Sequence, residues 1–101
     1  AEGMEAQMRL CYQNIERLLQ TFDITMDTVV DETIYVTDME SGFQARKKLG
    51  RIVYPDVMSI PSTIVQVEGL ALAGQLVEIK IEARSKKKKK APKDKTKAGL
   101  K

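Results

Sequence analysis

The sequence predicts an α+β fold in which two helices lie on one face of a mixed β-sheet. Residues 75–83 alternate between apolar and polar side chains, as in a strand with one buried face. Residues 5–20 repeat apolar side chains at three- and four-residue steps, as in an amphipathic helix. The coarse order of elements is helix, strand, helix, strand, strand, which is typical of an α+β sandwich in a small chain.

The first helix is predicted over residues 5–20. Its apolar face consists of Met4, Met8, Cys11, Tyr12, Ile15, Leu18, Leu19 and Phe22. These positions favour core packing over any contact with a cofactor.

A turn at residues 25–28 leads into a predicted strand over residues 29–37. Its apolar face is formed by Val30, Ile34 and Val36. The adjacent acids Asp31 and Glu32 invite a metal or acid–base interpretation, but neighbours on a strand point to opposite faces. A solvated strand end is therefore the favoured interpretation of both.

A second helix is predicted over residues 39–50, with Thr37 or Asp38 as its N-cap. Phe43 and Leu49 are expected to anchor this helix to the core. Its C-terminal end is basic, with Arg46, Lys47, Lys48 and Arg51, which favours macrodipole compensation and solubility, with an anion site as the alternative.

Residues 63–68 and 75–83 both have strand patterns, and a short glycine-bounded segment, residues 69–74, separates them. This arrangement predicts that the two strands pair as an antiparallel hairpin.

Charge divides the chain into two regions. The net charge of the 101 residues is +3, but residues 84–101 contain ten basic residues and a single acid, so residues 1–83 carry a net charge of −6. We expect a folded domain over residues 1–83 and a disordered basic tail over residues 84–101. The lysine run is expected to bind polyanions non-specifically; it comprises Lys86, Lys87, Lys88, Lys89 and Lys90. A solubilising appendage, a targeting signal and an engineered extension remain alternatives.

The chain contains one cysteine and no histidine. Cys11 has no partner for an internal disulfide, which fits a reducing compartment and predicts a cytoplasmic protein. A small buried hydrophobic side chain is its favoured interpretation. The lack of histidine excludes Ser-His-Asp and Cys-His catalysis and zinc sites that contain histidine. No apolar run approaches the roughly 18 residues of a membrane span.

Several short segments follow one another in a specific order and spacing. They are residues 2–7, Asn14-Ile15, Val29-Val30, Thr37-Asp38-Met39, Phe43, residues 62–67 and residues 76–79. Together they resemble the C-terminal two thirds of the Rid/YjgF family domain, the reactive-intermediate imine deaminases that are also described as L-PSP endoribonucleases. The resemblance covers residues 2–83.

The resemblance implies a chorismate-mutase-like sandwich and a homotrimer with three clefts between its subunits. Enzymes of this family hydrolyse 2-imino or enamine acids to 2-keto acids and ammonia, and no metal or organic cofactor is implied. The resemblance also implies that this chain lacks the N-terminal hairpin with which the family completes its sheet.

Three residues correspond to family positions near the cleft. Glu78 matches the glutamate that positions the attacking water, and its place on the polar face of a strand suits a general base, although a solvated strand acid would have the same pattern. Ser62 stands where active members carry an arginine that holds the substrate carboxylate by a bidentate pair. A hydroxyl cannot replace that guanidinium fork. Ser62 and Thr63 are nevertheless expected to line the cleft.

Three functions follow as hypotheses. The chain is a deaminase relative with weak or lost activity, a non-catalytic trimer that binds a small metabolite between subunits, or a nucleic-acid-associated protein that binds through its lysine tail. The acidic body, which lacks an aromatic-rich basic sheet, argues against the third hypothesis.

Overall fold

The computed structural model describes residues 3–84 and confirms the predicted α+β fold. The helices are α1 (Met4–Gln20) and α2 (Met39–Val53), and the strands are β1 (Val29–Val36), β2 (Ser62–Gln66) and β3 (Val77–Ala83). Short 3-10 helices occur at Met26–Thr28 and Val57–Ser59. The lysine run at residues 86–90 lies outside the described residues. Within residues 3–84, no helix is long and apolar enough to cross a membrane.

Strand β1 is the central strand of the sheet, with β2 on one side and β3 on the other. Strand β2 runs parallel to β1, and β3 runs antiparallel to it. The predicted hairpin between residues 63–68 and 75–83 is therefore wrong, because β1 lies between the two strands. Strands are spaced about 4.8 Å apart, so the segment that joins β2 to β3 is long enough to pass beyond β1.

The helices cover one face of this sheet and enclose the core with it. Helix α1 buries Met4, Met8, Tyr12 and Leu19 of its predicted apolar face, and α2 buries Leu49 as expected. Leu18, which was also expected on that face, is 52% exposed. Phe22 and Phe43 were expected in the core, but they are 54% and 51% exposed. Helix α2 instead turns its smallest residue, Gly42, towards the sheet, which carries Phe43 to the outside.

A register shift in β1 decides which of its side chains face the helices. The pairing of β1 with β3 is irregular between Val29 and Asp31, as in a β-bulge. Beyond this point Glu32, Ile34 and Val36 are buried. Val30, which was expected on the apolar face, is 39% exposed.

The burial of Glu32 overturns the prediction that Asp31 and Glu32 form a solvated strand end. Asp31 is exposed as expected, but Glu32 is fully buried between the sheet and the helices. The alternation predicted for β3 is confirmed: Val77 and Ala83 are buried, while Glu78 and Lys80 are exposed.

The start of α2 is held close to the sheet. Asp38 is the N-cap, and its side chain accepts a hydrogen bond of 2.9 Å from the backbone N–H of Ser41. Gly42, the residue after Ser41, lies directly against β1. A Cβ atom at position 42 would be 2.6 Å from Cγ1 of Val36. Glycine therefore permits the close approach of α2 to β1.

Substituting Gly42 by alanine tests this contact. Gly→Ala in a helix normally stabilises by about 1 kcal/mol. Here the added methyl group overpacks the core, which costs about 1–3 kcal/mol, so we expect a net loss of free energy of unfolding in urea denaturation. Gln44→Ala, on the exposed side of α2, is the control and should be nearly neutral. A Gly42→Ala variant more stable than wild type would contradict this packing.

Candidate functional site

A buried carboxylate lies at the centre of the fold. Oε1 of Glu32 accepts hydrogen bonds from Nε of Arg46 and Oγ of Ser62, each at 2.7 Å. Oε2 accepts from the hydroxyls of Tyr12, at 2.7 Å, and Tyr54, at 2.5 Å. Each carboxylate oxygen thus has two donors, which fills its normal acceptor capacity. We refer to these five residues as the Glu32 cluster.

The members of the Glu32 cluster come from five parts of the chain. Glu32 lies in β1, Tyr12 in α1 and Arg46 in α2, while Tyr54 directly follows α2 and Ser62 begins β2. The parallel register of the two strands places Ser62 directly opposite Glu32. The carboxylate therefore connects both helices to the sheet.

The aromatic and guanidinium groups of the cluster also pack on one another. The rings of Tyr12 and Tyr54 meet edge to face, with centroids 5.9 Å apart. The guanidinium carbon of Arg46 lies 5.5 Å from the centroid of Tyr54. Gly50 leaves room for this arrangement, because a Cβ atom at that position would collide with the guanidinium of Arg46.

The hydrogen bonds determine the charge state of the cluster. Burial acts to raise the pKa of Glu32, but the donors Tyr54, Tyr12, Ser62 and Arg46 outweigh it and hold this pKa below its ordinary value of 4.5. Burial and the negative charge of Glu32 raise the pKa of both tyrosines, so their hydroxyls stay protonated. Burial acts to lower the pKa of Arg46, yet its hydrogen bond to Glu32 produces a net rise. The cluster is thus an ion pair with three neutral donors.

This arrangement is unsuited to acid–base chemistry at Glu32. A general base needs a pKa near the working pH and room to take up a proton. Glu32 has a lowered pKa, and all of its acceptor positions are engaged by the cluster. The geometry fits the role of an internal counter-ion that holds donors in place.

The predicted site residues lie on both faces of the sheet. Ser62 is opposite Glu32 on the helix-covered face, whereas Thr63 is opposite Thr33 on the uncovered face. Glu78 is opposite Tyr35, also on the uncovered face, and its side chain is exposed. Within a single chain, Ser62 therefore lies beside Glu32 and on the opposite face of the sheet from Glu78.

Sequence reasoning missed the Glu32 cluster. Tyr12 was expected only as a core residue, Arg46 as part of a solvated basic end, and Glu32 as a solvated acid. One signal was present for Arg46, because it lies one helical turn after Gly42 and one before Gly50 and Leu49 on α2. The alternation of β1 also carried a signal for Glu32, because it lies two residues before Ile34 and four before Val36, on the same face of the strand.

A second concave region lies beside Tyr54 in residues 3–84. A wide groove of about 640 Å³ is lined by Glu16, Thr25, Met26, Asp27, Arg51, Ile52, Val53, Tyr54 and Pro55. The groove places the cation Arg51 and the acids Glu16 and Asp27 around the outer side of Tyr54. Within this part of the chain, no three Cys, Asp or Glu side chains are grouped closely enough to hold a metal ion.

Comparison with known proteins identifies relatives by sequence and by fold. Residues 1–85 match the family model described as endoribonuclease L-PSP. A crystal structure of a member of the highly conserved YjgF/YER057c/UK114 family from Mycobacterium tuberculosis is similar with a TM-score of 0.70 and 29% identity, over 78% of this chain and 65% of that chain. No curated protein matches the chain at a significant level.

Two further solved structures have related descriptions. A probable translation initiation inhibitor from Rhodopseudomonas palustris has a TM-score of 0.69 and 26% identity, over 78% of this chain and 60% of that one. A putative translation initiation inhibitor from Salmonella typhimurium has a TM-score of 0.65 and 25% identity, over 80% and 68% of the two chains. The chain thus spans less than two thirds of the length of the first two structures.

The Glu32→Gln substitution tests the ion pair at the centre of the cluster. The amide keeps the shape of the side chain but leaves the buried guanidinium of Arg46 without a counter-charge, so we expect a loss of about 3 kcal/mol at neutral pH. Because the pKa of Glu32 is lowered in the folded protein, its contribution is present above about pH 4.5 and is lost as the pH falls through the folded-state value. Urea denaturation at pH 7 and pH 3 measures both effects.

The difference between wild type and Glu32→Gln should therefore shrink in acid. Glu68→Gln, which alters an exposed carboxylate, is the matched control and should be nearly neutral at both pH values. A difference between wild type and Glu32→Gln that is small at pH 7, or equal at the two pH values, would contradict the ionised cluster.

Proposed function

This chain belongs to the endoribonuclease L-PSP family, and we propose that it is a member whose 2-imino acid deaminase activity is weak or absent. One observation carries the proposal: the hydroxyl of Ser62 and the guanidinium of Arg46 both bind the internal carboxylate of Glu32. Ser62 stands at the position where active relatives are expected to hold the substrate carboxylate.

Two carboxylates would compete for the same donors. A 2-imino acid presents a carboxylate that must be fixed by donors, preferably a guanidinium fork. In this chain the donors nearest to position 62 already serve Glu32, which is covalently part of the protein and therefore has a high effective concentration. The side chain of Arg46 is also only 11% exposed. A substrate would have to displace an internal ion pair in order to bind there.

The expected loss of activity is large. A charge-assisted hydrogen bond contributes about 1.5–3 kcal/mol, and an arginine fork makes two of them. Because 1.36 kcal/mol corresponds to a tenfold change in rate, losing the fork costs on the order of a hundredfold or more in kcat/KM. Glu78 is an exposed carboxylate that can still polarise a water molecule, so trace hydrolysis is expected.

The proposal includes assembly as a homotrimer. Ser62 and Glu78 lie on opposite faces of one sheet, so a cleft that contains both side chains requires more than one copy of the chain. The helices cover only one face of the sheet, and the uncovered face presents Tyr35 and Val65, the latter 37% exposed. We infer that this face turns towards the centre of a trimer, with a small carboxylate ligand between subunits.

Restoring the guanidinium at position 62 tests the proposed function. With 2-aminoacrylate or 2-iminobutyrate generated in the assay, wild type should consume the imine slowly, and Ser62→Arg should raise kcat/KM by on the order of tenfold or more. Glu78→Ala in that background should remove the gain, because no carboxylate then positions the water.

Two matched variants separate the fork from a general effect of charge. Ser62→Lys adds a cation without the bidentate geometry, and Thr63→Arg adds a guanidinium on the opposite face of β2. Both should stay near the wild-type rate. Wild-type turnover typical of an efficient enzyme, or equal gains from Thr63→Arg and Ser62→Arg, would refute the proposal.

The trimer predicts a definite mass. The chain has a mass of 11.3 kDa, and sedimentation equilibrium should give three times this value, or a multiple of three. Substituting Val65 by aspartate on the uncovered face should release smaller species, since it places a charge in the proposed interface. A clean monomer or dimer at micromolar concentration would contradict the trimer.

A further inference from the structure

The donors of the Glu32 cluster are held in place by contacts that do not involve its carboxylate. The rings of Tyr12 and Tyr54 pack edge to face, and the guanidinium of Arg46 lies against the ring of Tyr54. Ser62 is positioned by the parallel backbone pairing of β2 with β1. This packing keeps the four donors directed at one point when the side chain at position 32 is shortened.

The backbone at position 32 is also fixed independently of its side chain. The N–H of Glu32 donates to the carbonyl of Pro61 at 3.1 Å, and Glu32 lies opposite Ile81 of β3. On the same strand, Ile34 and Val36 are fully buried and anchor β1 in the core. Shortening Glu32 to alanine therefore leaves a cavity beside a strand that remains paired. The removed part, one methylene group with its carboxylate, has the size of an acetate ion.

Such a cavity selects an anion. Glu32 is the acid that pairs with Arg46 in the described part of the chain. The other donors are the neutral hydroxyls of Tyr12, Tyr54 and Ser62. Because an unpaired guanidinium inside a protein is costly, the four donors favour a ligand with one negative charge and two acceptor oxygens. A carboxylate has both properties.

We propose that the four donors form a carboxylate-binding site that the chain occupies with its own side chain, so that Glu32 is the residue that excludes free carboxylates. This inference rests on the proposed function, in which two carboxylates compete for the same donors. It goes beyond the replacement of arginine by Ser62, because it assigns the specificity of the site to Glu32. The ligand class is a small monocarboxylate, whose size is set by the side chain at position 32.

Rescue by acetate tests the proposal on the full chain. Glu32→Ala is denatured with urea at pH 7 in increasing sodium acetate, with sodium chloride keeping the ionic strength constant. A ligand that binds only the folded state raises the folding equilibrium constant in proportion to its concentration, about tenfold for each tenfold increase above the dissociation constant. Wild type should show no dependence on acetate, because Glu32 already occupies the site.

Matched ligands and variants separate recognition of the carboxylate from a general effect of salt. Acetamide has the shape of acetate without its charge and should not rescue Glu32→Ala. Glu32→Gly removes one further carbon atom, so its preferred ligand should change from acetate to propionate. Adding Arg46→Met to Glu32→Ala removes the unpaired guanidinium, so this double variant should fold and should not respond to acetate.

The possible results divide cleanly. If Glu32→Ala does not fold alone, acetate should induce its folding, which circular dichroism measures. Stability of Glu32→Ala that is independent of acetate, a variant that stays unfolded at every acetate concentration, or an equal response to acetamide would overturn the proposal. A response to acetate in wild type or in the double variant would also overturn it. None of these measurements uses imine turnover, so efficient deamination by wild type would refute the proposed function without removing a rescue by acetate.

Discussion

The ionised carboxylate of Glu32 is the constraint on which the rest of the structure depends. An unpaired charge inside a protein is too costly to persist, so burying Glu32 requires donors on every side. Those donors come from α1, from α2 and the residue after it, and from the first residue of β2. Each element must therefore sit in one position relative to β1. A buried ion pair is weak evidence for added stability, but this one specifies how the two helices are placed on the sheet.

The same constraint explains why a member of this family need not be an efficient deaminase. Carboxylate recognition uses guanidinium and hydroxyl donors, and the chain has both beside position 62. They are engaged by a carboxylate that belongs to the fold. The exposed acid Glu78 lies on the other face of the sheet. We infer that the chain retains the architecture of the family while its polar donors serve packing.

Periodicity predicted the parts of the fold that depend on one face being apolar. The extent of α1 to within one residue, the start of α2, the alternation of β3 and the cap at Asp38 follow from local patterns and were confirmed. The end of α2 was not, because the helix continues to Val53, three residues past the predicted end. The burial of Glu32 was missed because its acidic side chain favoured solvent, although it alternates in phase with Ile34 and Val36. The bulge between Val29 and Asp31 accounts only for Val29 facing the core in place of Val30. The hairpin was wrong because local strand patterns carry no information about which strand lies between two others. The direction of Ser62 likewise depends on the register of β2 against β1, which only the assembled sheet determines.

The most direct test of the central claim is the pH titration of the carboxyl carbon of Glu32, followed by ¹³C NMR in the full chain. If four donors hold this carboxylate ionised inside the fold, its midpoint must lie below the ordinary pKa of 4.5, and its chemical shift must stay constant through neutral pH. A Glu32→Gln sample identifies the resonance. A midpoint at 4.5 or above would show that the carboxylate is not held by the cluster and would contradict the account.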